Sequence, residues 1–236
     1  MKKFIVSTVL CTSLFGFIGC MKDNDSVLYL YDEPAIAEYA GNKPMIRTAF
    51  GRYYVPNLSD TIHSGDCLWI NCTIDFEKQS NSTDTLATDF TYRKIGKSSV
   101  KIQSGDMVDD YSESMVSAAI YNRTIGNTLF FVFMQKAPKN QIFDYEIICN
   151  TDSLIENDGK EYPALYLKSK KVNAPGGEPM DIITQFGFDM TRFASNPAYK
   201  NNKNEIPLYL YYKTGTKDEK EIYEAFKTYP VLWVVP

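Results

Sequence analysis

Apolar and polar side chains alternate through much of this 236-residue chain, and the clearest stretch is Cys67–Phe76. Leu68, Ile70, Cys72, Ile74 and Phe76 fall on one face, and Trp69, Asn71, Thr73 and Asp75 on the other. A period of two is the signature of a half-buried strand. Ile142–Cys149 alternates in the same way, with Phe143, Tyr145, Ile147 and Cys149 on one side. Leu129–Met134 is instead a continuous apolar run, suited to a strand covered on both faces. Shorter strands are expected over 27–31, 44–49, 52–56, 90–95, 99–103, 116–121, 164–168, 185–190, 207–213 and 231–235, with a hairpin turn at Phe50-Gly51. One helix is expected near 218–226, where Asp218 and Glu221 have capping-box spacing and Ile222 and Phe226 share a face. Many short strands joined by turn-rich loops predict an all-β fold of sandwich or barrel modules.

The punctuation divides the chain. Residues 57–66, 77–86 and 172–180 are polar or Pro/Gly-rich loops. Ser104–Ser114 combines a turn, three aspartates and no periodicity, as a domain linker would. The expected organisation is a β domain over 29–107, a linker over 108–114 and a second β domain over 115–236.

The first twenty residues follow a different pattern. Lys2 and Lys3 precede a stretch from Phe4 to Ile18 that is apolar apart from small hydroxyl residues and Cys11. It is shorter than the roughly 20 residues a spanning helix needs, so residues 1–19 read as a secretory signal. Phe17-Ile18-Gly19-Cys20 resembles a bacterial lipobox, with Phe17 where leucine is usual. Cys20 is then the acylated first residue of the mature chain, and more than one acyl chain suffices for stable membrane anchoring. Residues 20–28 hold this cysteine and a tether, and Met21–Ser26 resembles the lysine-plus-acid signals of surface-exported Bacteroidota lipoproteins. The expected location is the outer membrane, on either its periplasmic or its surface-facing side. Asp25-Ser26-Val27, Asp60-Thr61-Ile62, Asp84-Thr85-Leu86 and Asp152-Ser153-Leu154 resemble the Asp-Ser/Thr-aliphatic sequon of Bacteroidota O-glycosylation. Ser26, Thr61, Thr85 and Ser153 are candidate modification sites.

Charge and cysteine usage narrow the classes. The formal net charge of −4 falls to −6 once Lys2 and Lys3 are removed, and a mildly acidic chain does not suit nucleic acid. Cys67, Cys72 and Cys149 remain besides Cys20, too few and too odd in number for a disulfide framework. Cys67 and Cys72 lie on opposite faces of one expected strand, and Cys72 and Cys149 on apolar faces, so buried thiols are expected.

Candidate chemistry is sparse. His63 is the only histidine and sits in a polar turn between Asp60 and Asp66, without the convergent ligands a metal needs. It is expected to be a plain loop residue, and no metal or cofactor is expected. No nucleophile elbow, P-loop or zinc-protease pattern is present. A pair of carboxylates from distant positions could still form a glycosidase site, but Asp109, Asp110 and Glu113 cluster only in the expected linker. Trp69 lies on the polar face of its strand, and Tyr209 and Tyr211 share one face of theirs. Exposed aromatics of this kind can stack on sugars or anchor a protein, unless other strands or the neighbouring domain cover them.

The layout as a whole resembles a known family. A lipobox precedes a β block containing Tyr53-Tyr54-Val55-Pro56 and Gly65-Asp66-Cys67-Leu68-Trp69. A second block carries Phe188-Asp189-Met190 and Tyr211-Tyr212-Lys213-Thr214-Gly215 before a closing apolar strand. This is similar to the NigD-like lipoproteins of Bacteroidota across nearly the whole mature chain. The resemblance implies an N-terminal OB-like small barrel followed by a C-terminal antiparallel β-sandwich, with no established chemistry and no functional residues to carry over. The expected function is a non-enzymatic envelope lipoprotein that binds a glycan or an envelope protein. The alternative is a carbohydrate-active hydrolase with paired carboxylates.

Overall fold

The computed structural model describes residues 26–77, 84–105, 113–121, 124–217, 220–226 and 231–234. Cys20 and most of the tether lie outside the described residues, as do Asp109, Asp110 and Asp218.

The first sheet has five antiparallel strands: β1 (Val27–Ala40), β2 (Lys43–Thr48), β3 (Gly51–Tyr54), β4 (Cys67–Asp75) and β5 (Ala87–Lys94), in the order β3-β2-β1-β4-β5. The expected hairpin is present, with Thr48 opposite Gly51 and Met45 opposite Tyr54. Strand β1 runs past the expected end at residue 31 because a bulge between Leu30 and Glu33 absorbs Tyr31 and Asp32, after which Glu33 and Pro34 pair again with Ile70 and Trp69. Leu30, Ile46, Tyr53, Leu68, Ile70, Cys72 and Ile74 fill the core of this block. The sheet is not closed into a barrel by a ladder. One bridge, Tyr54 to Leu86, joins its two edges, with Tyr54 N–H donating to Thr85 O at 2.8 Å.

The second block is a two-sheet sandwich. One sheet contains β6 (Gly96–Ser99), β8 (Ser117–Ile120), β9 (Thr128–Pro138) and β12 (Pro179–Asp189), ordered β6-β12-β9-β8. The other contains β7 (Lys101–Gln103), β10 (Phe143–Asn157), β11 (Lys160–Lys171), β13 (Glu205–Lys217) and β14 (Lys220–Ala225), ordered β14-β13-β11-β10-β7. Strand β15 (Val231–Val234) pairs with the start of β13. Pairing is antiparallel except for β6–β12, β7–β10 and β11–β13. Phe131, Phe133, Phe186 and Phe188 of one sheet pack on Tyr145, Leu165, Leu167, Leu208 and Leu210 of the other. The Phe133 and Tyr145 rings stack across this gap with centroids 4.2 Å apart. A buried polar relay lies beside them: Tyr145 Oη donates to Gln135 Oε1 at 2.7 Å, and Gln135 Nε2 donates to Ser169 Oγ at 2.8 Å.

Three expectations need correction. Residues 96–103, expected in the first domain, form edge strands of both sandwich sheets, so one chain segment ties the blocks together. The expected helix near 218–226 is strand β14, whose Lys220 pairs with Lys217 and whose Ala225 pairs with Tyr211. A few residues of helical spacing cannot repay the cost of nucleating a helix when a hairpin ladder is available. The short helix that does form, α1 (Thr191–Ala194), starts where Asp189 Oδ1 accepts the Thr191 N–H at 2.9 Å.

The third correction concerns Trp69. Its face of β4 is the one opposite the first core, but Ile125 and Phe130 of the second block cover it, together with Cys67 and Ile95. Tyr121 meets the indole edge to face at 6.2 Å, and Trp69 is 9% exposed. It joins the two blocks and is not an open stacking surface.

Candidate functional site

Tyr209 and Tyr211 reach the outer face of the larger sandwich sheet by strand alternation. On β13, Ile206, Leu208 and Leu210 enter the sandwich core, so the odd-numbered residues point the other way. The same logic applies to β11, where Leu165 and Leu167 are core and Tyr162, Ala164 and Tyr166 face outward. Parallel pairing sets Tyr209 beside Ala164 and Tyr211 beside Tyr166. The rings therefore meet in pairs: Tyr166 stacks on Tyr211 at 5.6 Å, and Tyr162 tilts against Tyr209 at 5.9 Å. Tyr223 of β14 closes the end of the row, edge to face with Tyr166 at 5.1 Å. Such cross-strand pairs stabilise a sheet by roughly 0.2–1 kcal/mol each.

The face remains partly open. Tyr166, Tyr209, Tyr211 and Tyr223 are half-buried, and Tyr162 is buried. Burial pushes the Tyr209 and Tyr211 phenols above the usual tyrosine range, so both stay neutral donors. Ser153 Oγ and Tyr166 Oη share a hydrogen bond at 2.8 Å. Tyr209 Oη is enclosed and has no hydrogen-bond partner among the described residues. Lys160 Nζ lies 5.5 Å over the Tyr162 ring. Toward β10 the sheet face is closed, with Glu146, Ile148 and Lys168 buried and Lys101 paired to Glu146.

Only Tyr209 and Tyr211 of this group follow from sequence alternation. Tyr162, Tyr166 and Tyr223 join them through pairings between distant segments, and the one local signal is that Tyr162 and Tyr166 share a parity on their strand.

The other candidate residues scatter. Thr61 is exposed in the loop between β3 and β4, where its hydroxyl meets Ser59 Oγ at 2.9 Å. Ser26 and Thr85 are half-buried beside strands. Ser153 lies on β10, within the register shift between Asn150 and Leu154, and so is not in a loop. His63 is exposed, and its backbone N–H donates to Asp66 Oδ2 at 2.8 Å. Burial drives the thiols of Cys67 and Cys149 up to about 11 and that of Cys72 up to about 12, and all three are free.

Several carboxylates are committed to cations. Glu38 holds both Arg47 and Arg52, Asp66 holds Lys94, and Glu113 holds Lys171. Burial alone would raise Asp66, but the His63 N–H and Lys94 hold it below the usual range. Burial likewise acts upward on Asp189, and is outweighed by the Thr191 hydroxyl and N–H and by Lys97. Among the described residues no group of three or more His, Cys, Asp or Glu could hold a metal ion.

No protein-family model matches the chain, and no curated protein matches it. Solved structures do. An uncharacterized protein from Parabacteroides merdae superposes with a TM-score of 0.65 at 16% identity, over 84% of this chain and 95% of that one. A protein of unknown function DUF1344 from Bacteroides vulgatus gives 0.53 at 15% identity, over 87% and 92%. A NigD-like immunity protein from Bacteroides caccae gives 0.52 at 11% identity, over 84% and 92%. The chain thus shares the two-block all-β fold of a NigD-like protein, as its sequence layout led one to expect.

Proposed function

We propose that this chain is a lipid-anchored envelope protein, held through Cys20 at the outer membrane and facing the cell surface, that binds a partner without chemical turnover. The observation that carries the reading is the row of half-buried tyrosines, in which the rings of Tyr166, Tyr209, Tyr211 and Tyr223 share one partly open sheet face. Tyrosine supplies large contact area at low entropic cost and is enriched where proteins dock. Rings packed against one another in this way fit a protein partner better than a glycan. One structural neighbour is a NigD-like immunity protein, and a binding role for this chain is compatible with that likeness in fold. Of the candidate O-glycosylation sites, Thr61 is the exposed residue, whereas Ser26, Thr85 and Ser153 are half-buried.

A pull-down from solubilised envelopes, run with wild type and Tyr211→Ser, tests the reading. Binding that Tyr211→Ser abolishes in a folded protein supports it. Silence in the pull-down, or protein capture indifferent to Tyr211, overturns it.

A further inference from the structure

We propose that the first sheet carries a separate subsite for an uncharged glycan, built on Tyr29 and Tyr31. These two residues are 55% and 68% exposed, and their rings lie near-parallel, 6° apart in plane and 6.2 Å between centroids. They sit at the start of β1, on the face of the sheet away from its core, where Tyr29 pairs opposite Thr73.

The backbone beneath them is irregular in a way that holds them there. The β1 bulge falls at Tyr31 and Asp32, and Asp32 has φ +49°, in the left-handed region. Such a residue costs on the order of 1–3 kcal/mol and persists where its surroundings fix it. Here Asn71 Oδ1 accepts the Asp32 N–H at 2.9 Å and pins the bulge from β4. Bulges re-aim side chains, and this one lies directly under the tyrosine pair.

Around the rings the sheet supplies hydrogen-bonding groups. Asn71 Nδ2 donates to Thr91 Oγ1 at 3.4 Å, and Thr88 Oγ1 donates to the Thr73 carbonyl at 3.2 Å. Amide and hydroxyl groups beside an open aromatic pair match a sugar, which offers a C–H face to the ring and hydroxyls to its border. Charge selects the class. Asp32 and Asp89 lie at this end of β1 and β5. The nearest outward cation on β5, Arg93, is engaged with Gln185 of the second block at 2.6 Å. Among the described residues this end of the sheet is acidic, which disfavours phosphates, sulfated sugars and anionic lipid headgroups. An uncharged glycan meets no such penalty. The subsite is independent of the tyrosine row on the sandwich.

Affinity electrophoresis of the full chain in detergent, through native gels cast with mannan, dextran or xyloglucan, tests the proposal. Tyr29→Ala and Tyr31→Ala remove exposed rings, and thermal unfolding confirms that each variant folds. At least one polysaccharide is expected to retard wild type and Tyr211→Ser equally. The double variant should need about tenfold more polysaccharide for the same retardation. No retardation by any of the three overturns the proposal, as does retardation that survives the double variant or is lost with Tyr211→Ser. Tyr29-dependent binding to phosphatidylglycerol vesicles without polysaccharide binding would also overturn it, by substituting a membrane surface for the glycan.

Discussion

Gly187 of β12 packs so tightly against Cys67 of β4 that a Cβ on the glycine would lie 2.7 Å from the Cys67 sulfur. This contact joins the first sheet to the sandwich, at the edge of the patch that also buries Trp69 and Phe130. A side chain at residue 187 must push the blocks apart or displace the thiol. Gly187→Ala is expected to cost about 1–3 kcal/mol, the usual penalty for overpacking, read as a lower urea midpoint. Cys67→Ala should relieve much of that cost, so a double-mutant cycle would show coupling between the two positions. Additive effects would disprove the contact.

Trp69 gives the complementary test by removal. Trp69→Ala should destabilise by about 3–5 kcal/mol, as for other large buried aromatics. Because Tyr121 rests on the indole and also bonds Glu33 of β1, losing Trp69 should loosen the junction between blocks before either core melts. Hydrogen exchange should therefore rise first in Trp69→Ala around Ile125–Phe130 and residues 67–71.

How far the sequence could see is clear at Trp69. Alternation placed the indole on the face opposite Leu68 and Ile70, and the structure has it there. What alternation cannot state is which distant segment covers a face, because that depends on pairings such as β6 with β12. The same limit hid Tyr162, Tyr166 and Tyr223 from the candidate site. Strand β14 shows the opposite failure, in which a local helical signal at Glu221, Ile222 and Phe226 lost to a ladder with β13. The β1 bulge was equally invisible, since the side-chain bond from Asn71 that accommodates Asp32 comes from 39 residues away.

Acid should weaken the fold through Asp66 and Asp189. Both carboxyls titrate lower when folded than the usual value near 3.9, so each contributes stability that is present above that value. The contribution fades as pH falls through the folded pKa of each group. Asp66→Asn and Asp189→Asn should each flatten the decline in melting temperature below about pH 4 while changing little at pH 7 beyond a constant offset. A decline as steep as that of wild type in both variants would remove these pairs from the account.

Thiol counting tests burial and lipidation together. Cys67, Cys72 and Cys149 are buried and free, with pKa values pushed well above neutrality, so the native chain should be inert to Ellman's reagent at pH 8. Unfolding in guanidinium should expose these three thiols. A fourth thiol in the mature chain would mean that Cys20 is unmodified. Cys20→Ala should release the protein from the membrane fraction, and a Cys20→Ala chain that still took up radioactive palmitate would overturn the lipobox reading.

Tyr209 separates stability from binding. Its hydroxyl is enclosed without a partner among the described residues, and an unpaired buried polar group costs roughly 1–3 kcal/mol. Tyr209→Phe keeps the ring against Tyr162 while deleting the unpaired oxygen. It should leave stability unchanged or raise it by up to about 1 kcal/mol in urea unfolding. Tyr211→Ser removes a ring stacked on Tyr166 and should cost roughly 0.5–1.5 kcal/mol. If Tyr209→Phe instead destabilises the chain by a kcal/mol or more, the phenol has a partner in solution, and the row of tyrosines is more closed than its geometry indicates.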